Sequence, residues 1–164
     1  MKLAVILIAY TFMIGTCIGS FLNVVIYRLP RGKSLSKPRS FCPKCGNSIP
    51  FYLNIPILSW LILGGKCKFC KATISPRYII IETITGIAFA GLFYCYFAAS
   101  TRQIGSDDGV RAFINGHWWI YILHATIIAA FIAASAIDLE LWIIPLSLCW
   151  FVTAAALVFT SAAG

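Results

Sequence analysis

Four of the seven cysteines form two Cys-x-x-Cys pairs, Cys42/Cys45 and Cys67/Cys70, with 21 residues between the pairs. Two such pairs can supply four thiolates to one ion, and four thiolates in tetrahedral geometry are typical of structural zinc. Gly46 follows the first pair and allows a turn with positive φ, which brings backbone N–H groups toward sulfur. The spacing predicts a four-cysteine zinc site that holds shape and has no open position for water.

Basic residues around the two pairs favour zinc over the alternative, which is disulfides or redox-active cysteines. The flanking lysines are Lys44, Lys66, Lys68 and Lys71. Their charge favours thiolate forms and offsets the negative charge of a zinc–tetrathiolate centre. A basic loop is also expected in the reducing cytosol, where disulfides are rare. The other three cysteines lie in apolar segments, and we expect them to be small buried packing residues: Cys17, Cys95 and Cys149.

A second candidate for chemistry is Asp138, which lies at the end of an apolar run. Placing an ionisable side chain in an apolar segment costs free energy, so its presence suggests a function. A carboxyl near an apolar boundary suits acid–base hydrolysis of a peptide. The alternative is that Asp138 and Glu140 only mark the water interface. An aspartic peptidase needs two carboxyls that share a proton. Glu140 is a poor second member, because two residues along a helix it would point to a different face.

Three further polar residues lie near apolar segments and are candidates for substrate or structural contacts. Gly15, Gly19 and Asn23 recur every fourth residue, a spacing typical of close helix packing. Asn23 and Arg28 could instead contact a substrate or the cysteine loop. Glu82 is expected either to pair with a basic loop residue such as Arg77 or to line a site.

The segments that must position these residues are four long apolar blocks, 3–27, 78–99, 117–137 and 143–163. The chain is 60% hydrophobic and only 11% charged, against roughly 25% charged residues in a soluble domain. About 20 helical residues cross a hydrocarbon layer of about 30 Å. The pattern predicts an all-α polytopic membrane protein with about four transmembrane helices in the lipid bilayer. A cleaved signal peptide is the alternative for the first block, which is too long for one.

The placement of charge predicts the orientation of these helices. Ten of the thirteen basic residues lie in 28–77, and no acid precedes Glu82. Because basic loops stay on the cytoplasmic side, we expect a cytosolic loop and an N-terminus outside. The expected divisions are a first transmembrane helix at 1–27, a basic cytosolic four-cysteine zinc loop at 28–77, and three transmembrane helices at 78–164. A soluble nucleic-acid binder would need none of the apolar blocks, so no nucleic-acid partner is expected despite the net charge of +8.

Within the loop, 51–63 is apolar but too short to span a membrane. We expect an interfacial or re-entrant piece that packs the loop onto the membrane. A small core strand of the zinc module is the alternative.

An ordered set of motifs covers nearly the whole chain. It comprises Gly19-Ser20-Phe21-Leu22-Asn23-Val24 with Tyr27-Arg28-Leu29-Pro30, both Cys-x-x-Cys pairs, Ile55-Pro56-Ile57-Leu58-Ser59-Trp60, Ile74-Ser75-Pro76-Arg77-Tyr78 with Glu82, and Ile137-Asp138 with Ile144-Pro145. This set resembles the N-terminal part of the prepilin leader peptidase/N-methyltransferase family, whose members are membrane aspartic peptidases of type IV pilus and type II secretion systems.

The resemblance implies a multi-pass enzyme of the bacterial inner membrane. Its implied activity is cleavage of type IV prepilin or pseudopilin leaders at the cytosolic face, followed by N-methylation with S-adenosylmethionine. Asp138 takes the position of the family's first catalytic aspartate, and the four cysteines take the zinc positions.

Two departures change what is expected of this chain. The family's second aspartate lies in a Gly-x-Gly-Asp motif that these 164 residues do not contain, and Gly105-Ser106-Asp107 falls in a predicted outer loop. Leu146 also stands where a polar residue is usual. We therefore expect a chain truncated before the second motif, with half of the aspartic dyad, completed by a C-terminal half or second subunit. The alternative is a non-catalytic, membrane-anchored zinc module that binds prepilins or secretion components.

Overall fold

The computed structural model describes residues 2–37, 40–42, 44–50, 53–99, 109–115 and 118–161. Within these ranges the chain is helical, and its β structure is limited to two isolated antiparallel bridges. The helices are α1 (Lys2–Arg28), a 3-10 turn (Leu29–Arg31), α2 (Leu58–Ile62), α3 (Arg77–Phe93) with a π-helical turn (Tyr94–Ala98), α4 (Val110–Ile114), α5 (Trp119–Leu141) and α6 (Leu146–Ser161).

Three helical segments are long and apolar enough to cross a membrane: Lys2–Arg31, Arg77–Ala98 and Trp119–Leu141. The fourth predicted span is the apolar helix α6, which has 16 residues and is somewhat short for a layer that needs about 20. The all-α fold with three to four apolar helices that could span a membrane, and with a four-cysteine loop, is therefore confirmed.

Helices α1 and α3 pack at very short range because glycines line their contact. A Cβ atom on Gly15 would lie 2.8 Å from the Gly86 Cα, and one on Gly19 would lie 2.7 Å from the Glu82 Cα. Both distances are too short for a side chain, so the contact depends on small residues. This geometry supports the packing interpretation of the glycine spacing.

Helix α5 packs against this pair and carries Asp138 to the end of the bundle. Its buried side chains include Ala125, Ala129 and Ala133, spaced one turn apart. The Tyr121 hydroxyl donates a hydrogen bond to the Phe89 carbonyl of α3 at 3.3 Å. The small side chains allow close packing, so the last turn of α5 is positioned by the whole bundle.

Within the described part of the apolar stretch 51–63, residues 58–62 form helix α2 and none form a strand. Its side chains Leu58, Leu61 and Ile62 are exposed. An exposed apolar helix in a basic loop is consistent with an interfacial piece. Residues 51 and 52 lie outside the described residues, as do 100–108 and 116 of the predicted outer loop (100–116) and His117.

The expectation that Cys17, Cys95 and Cys149 are buried is wrong, since all three are exposed. Each lies on a helical segment and is left uncovered by the neighbouring protein, Cys17 at the edge of a cavity beside α1. In an apolar helix that could cross a membrane, an outward face needs no burial against protein.

Candidate metal centre and catalytic carboxyl

The sulfur atoms of Cys42, Cys45, Cys67 and Cys70 lie within 4.8 Å of one another, and all four are free thiols. The Cys42 and Cys70 sulfurs are 3.8 Å apart. Tetrahedral zinc with Zn–S bonds of about 2.3 Å places its sulfurs about 3.8 Å apart. A disulfide would need about 2.05 Å. The arrangement therefore fits one metal ion such as zinc.

The two cysteine pairs lie in turns with the same hydrogen bonds, 25 residues apart. The Cys42 N–H donates to the Asn47 carbonyl at 2.9 Å, and the Cys67 N–H donates to the Ala72 carbonyl at 2.8 Å. Antiparallel bridges close both turns, Phe41 with Ser48 and Lys66 with Thr73. We call these turns the first knuckle (40–49) and the second knuckle (65–74).

The residue after the second cysteine of each knuckle has a positive φ. Gly46 has φ 70°, as the sequence predicts, and its N–H donates to the Cys42 carbonyl at 2.8 Å. In the second knuckle Lys71 has φ 58° and donates to the Cys67 carbonyl at 3.0 Å. A side chain in this region costs about 1–2 kcal/mol, so Lys71 adopts a strained conformation that its residue type does not predict.

Backbone donors stabilise one thiolate in each knuckle. Hydrogen bonds from the backbone N–H groups of Cys45 and Lys44 lower the pKa of Cys42 from 9.0 to about 6, although burial opposes this shift. The backbone N–H groups of Cys70 and Phe69 lower the pKa of Cys67 in the same way. These donors point at the sulfur because each turn folds back on its first cysteine.

The pKa of the Cys70 thiol shifts in the opposite direction. The backbone N–H of Ala72 lowers the pKa of Cys70, but burial and the neighbouring cysteine thiols together raise it to about 11. Four thiols cannot all ionise at this range without a cation. The electrostatics therefore favour a bound positive ion.

Glu82 lies at the junction of α1, α3 and the loop, and is buried. Its carboxylate accepts a hydrogen bond from the Ile57 N–H at 2.7 Å and one from the Ser20 hydroxyl. Ile57 has φ 60° and ψ −55°, a conformation that a β-branched residue adopts only when its surroundings hold it there. Among the described contacts, Glu82 binds the loop backbone at Ile57, whereas Arg77 pairs with Glu140.

Asn23 and Arg28 hold α1 to its neighbours. The Asn23 amide is 1% exposed and donates to the Gly19 carbonyl at 3.3 Å and the Tyr78 carbonyl at 3.2 Å. The buried Arg28 guanidinium donates to the carbonyls of Ser34 at 2.9 Å and Leu35 at 3.4 Å. Both contacts fasten backbone segments, which supports a structural contribution.

Asp138 and Glu140 have different surroundings in the last turn of α5. The Asp138 side chain is exposed, and its backbone carbonyl accepts a hydrogen bond from the Trp142 N–H at 2.8 Å. Glu140 forms an ion pair with Arg77, the first residue of α3. Because Arg77 follows the second knuckle, this pair places Asp138 at the same end of the bundle as the cysteine loop.

Two cavities border α1. One of about 360 Å³ lies between α1 and the loop, lined by Cys17, Ser20, Phe21, Val24, Ser40, Asn54 and Pro56. A larger groove of about 950 Å³ lies between α1, α5 and α6 and has an almost entirely apolar lining.

Comparison with known proteins assigns this chain to a family. The family model for the bacterial peptidase A24 N-terminal domain matches residues 13–96, which contain most of α1, both knuckles and all of α3. No solved structure matches the chain.

The chain is similar to curated proteins of several bacteria. It is 39% identical to a prepilin leader peptidase/N-methyltransferase of Myxococcus xanthus over 85% of this chain and 36% of the relative. It is 47% identical to a prepilin leader peptidase/N-methyltransferase of Vibrio cholerae over 43% of this chain and 31% of the relative. It is also 45% identical to a protein of Escherichia coli, named as a leader peptide-processing enzyme for type 4 prepilin-like proteins, over 46% of this chain and 35% of the relative.

The chain thus spans about a third of the length of the curated relatives it matches. A single family model nevertheless matches half of this chain. The chain therefore belongs to the prepilin leader peptidase/N-methyltransferase family, and residues 13–96 form its bacterial peptidase A24 N-terminal domain.

Proposed function

We propose that this chain supplies the zinc loop and the first catalytic carboxyl of a prepilin leader peptidase/N-methyltransferase. The observation that carries the proposal is the common location of the two sites. The four cysteines and Asp138 lie at one end of a bundle that belongs to this family, and the Arg77–Glu140 pair connects them. A peptide could therefore reach Asp138 beside the loop.

In the proposed reaction Asp138 takes a proton from a water molecule that attacks the scissile carbonyl. A second carboxyl then protonates the carbonyl oxygen, as in other aspartic peptidases. The other acids of this chain are poorly suited to this role: Glu82 binds the Ile57 N–H, Glu140 pairs with Arg77, and Asp107 and Asp108 lie in the predicted outer loop. The second carboxyl is proposed to come from a Gly-x-Gly-Asp segment outside these 164 residues.

Zinc is proposed as the ion of the four-cysteine site, where it would neutralise the thiolates and hold the two knuckles together. Because four sulfurs fill its tetrahedral coordination, no position remains for water. The zinc therefore contributes to the structure of the loop and not to the hydrolysis.

The proposed location is the bacterial inner membrane, with the N-terminus outside and the loop in the cytosol. The concentration of basic residues in 28–77 supports this orientation. The test is labelling of Cys45 or Cys70 in intact cells by a membrane-impermeant thiol reagent after chelation. The proposal predicts labelling only after the membrane is permeabilised, and ready labelling from outside would refute it.

The proposed substrates are type IV prepilins or pseudopilins, in keeping with the names of the relatives. N-methylation of the new N-terminus would use S-adenosylmethionine, which supplies a methyl group from a sulfonium. The cavity of about 360 Å³ is within the size range of ligand pockets. Ser20, Ser40 and Asn54 provide hydrogen-bonding groups there, and Phe21 provides a ring. Calorimetric binding of S-adenosylmethionine to the chain, compared with Asn54→Leu, tests this assignment.

A non-catalytic zinc module is the second candidate function. It is favoured by the four-cysteine cluster, in which all four ligands come from this chain within the loop. In that case the exposed apolar residues of α2 would contact a prepilin or a secretion component, and Asp138 would have no catalytic role.

A cleavage assay separates the two functions. The purified chain is mixed with a prepilin, with and without a family C-terminal half that contains Gly-x-Gly-Asp. The peptidase proposal predicts cleavage only in the complete mixture. Cleavage by neither mixture, with both parts folded, would favour the non-catalytic module.

A further inference from the structure

The Arg77–Glu140 ion pair connects two sites that are 63 residues apart in sequence. Arg77 is the first residue of α3, and Glu140 lies in the last turn of α5, two residues after Asp138. The side chains are 21% and 35% exposed, so the contact is only partly screened by solvent.

Little flexible chain separates Arg77 from the second knuckle. The knuckle's last hydrogen bond runs from the Ile74 N–H to the Gly65 carbonyl at 2.7 Å. Pro76 then precedes Arg77 and restricts the backbone with φ −58°. The Arg77 N–H donates to the Ser75 hydroxyl at 3.3 Å. The backbone at Arg77 therefore follows the position of the folded knuckle.

The Arg77 side chain is also held in place. Its guanidinium lies 5.4 Å from the centre of the Tyr78 ring, within the range of a cation–π contact. The Arg77 Nε atom is buried without a hydrogen-bond partner among the described residues, and it is the Nη1 atom that contacts Glu140. These contacts limit the positions from which it can bind Glu140.

At the other end, the pair acts on the turn that carries the proposed catalytic carboxyl. The last hydrogen bond of α5 runs from Trp142, which has φ 55°, to the Asp138 carbonyl. This αL cap uses tryptophan and not glycine, so it carries a conformational cost, and helix ends fray more readily than helix interiors. Glu140 lies within this turn, and its pairing with Arg77 restrains Asp138.

We propose that Arg77 is a positioning residue that couples the metal-bound second knuckle to the Asp138 turn through Glu140. Metal binding orders the knuckle, the knuckle places Arg77, and Arg77 holds the last turn of α5. The catalytic consequence rests on the proposed function of Asp138, whereas the mechanical coupling does not. The loop would then control the peptidase site without contributing a reacting group.

Hydrogen–deuterium exchange of the full chain in lipid nanodiscs tests the coupling without any cleavage. We expect zinc removal to accelerate exchange of the Trp142 amide about three- to five-fold, the effect of losing a partly exposed ion pair. Arg77→Gln should accelerate it equally with zinc bound, and zinc removal should then add nothing. Arg77→Lys should restore most of the protection. Amides around Thr85, in the middle of α3, should be unaffected throughout.

Protection of Trp142 that is indifferent to zinc removal, or indifferent to Arg77→Gln, would overturn the coupling. So would an equal loss of protection at Thr85, because the variant would then act by unfolding the bundle. The double variant Arg77→Glu with Glu140→Arg provides a second test, since it should recover protection if the pair itself matters.

The catalytic consequence is measured separately in the mixture with a C-terminal half. Arg77→Gln should lower kcat about three- to ten-fold with little change in KM, and Arg77→Lys should recover it. A mixture that never cleaves would refute the proposed function while the exchange result could still hold. Unchanged kcat in an active mixture would refute the positioning role.

Discussion

The four-cysteine loop and the Asp138 turn are built in opposite ways. The four cysteines lie within 29 consecutive residues, and their positions follow from two turns with the same local hydrogen bonds. Asp138 instead depends on contacts between distant segments, namely the glycine contact of α1 with α3, the alanine face of α5 and the Arg77–Glu140 pair.

This difference shows how the two sites depend on the rest of the protein. A metal site made of nearby residues needs the ion to close it, whereas a carboxyl at a helix end needs a scaffold and, in the proposed function, a second carboxyl. The loop should therefore respond sharply to loss of one ligand or of the metal. The turn should respond to packing changes far from it.

The largest effect is expected from Cys67→Ser. Structural zinc contributes about 10–16 kcal/mol of apparent binding free energy in small metal-bound modules, and the loop has little other core. We expect metal analysis to find one zinc per wild-type chain and none in this variant. Cys17→Ser, which changes an exposed cysteine on α1, should retain its zinc. Stoichiometric zinc in Cys67→Ser would show that the four cysteines are not the ligands.

Acid should release the metal from the four-cysteine loop. The pKa of Cys42 is lowered from 9.0 to about 6, so its thiolate stabilises the folded loop above pH 9.0, and this contribution is lost as the pH falls toward 6. Bound metal lowers the proton affinity further. We therefore expect zinc to remain bound at pH 7 and to be released below about pH 6, measured with a chromogenic chelator. Release near pH 8 would contradict this account of the thiolates.

The helical scaffold is tested by paired glycine substitutions. Gly19→Ala should destabilise the bundle by about 1–3 kcal/mol, because its Cβ would lie 2.7 Å from the Glu82 backbone. Gly91→Ala has open space and should stabilise α3 by about 0.5–1 kcal/mol. Unfolding of the chain in micelles measures both. Equal effects would mean that α1 and α3 do not approach closely.

The smallest effect concerns the difference between the two knuckles. Lys71→Gly should stabilise the zinc-bound loop by about 1 kcal/mol relative to Lys71→Ala, because only glycine relieves the positive φ. Both variants remove the same charge, so their difference isolates the backbone. Chelator-induced unfolding measures it. A loop that is no more stable with glycine than with alanine would contradict the strain at Lys71.

The sequence was most informative where short-range spacing determines structure. The four cysteines, the turn at Gly46 and the long apolar helices all follow from residues close together in the chain. The positive φ of Lys71 was missed because lysine rarely adopts it. The only available signal was the match of Lys71 to Gly46 at the equivalent position of the other knuckle.

Contacts between distant residues could not be predicted in the same way. The Arg77–Glu140 pair and the hydrogen bond from Ile57 to Glu82 depend on how the helices pack, and many basic residues were equally plausible partners for the acids. The exposure of Cys17 was also missed, because an apolar neighbourhood in sequence does not distinguish the bundle core from the outer face of a helix.

The most direct test of the central claim is the rate of prepilin cleavage by the chain mixed with a C-terminal half that contains Gly-x-Gly-Asp. Asp138→Asn is compared there with Ser135→Ala, an exposed neighbour on α5. Loss of general acid–base assistance is worth about 10²–10⁴ in rate, so Asp138→Asn should abolish detectable cleavage while Ser135→Ala remains active. Cleavage that is indifferent to Asp138→Asn, or unaided cleavage by this chain, would contradict the assignment of Asp138 as one carboxyl of a shared dyad.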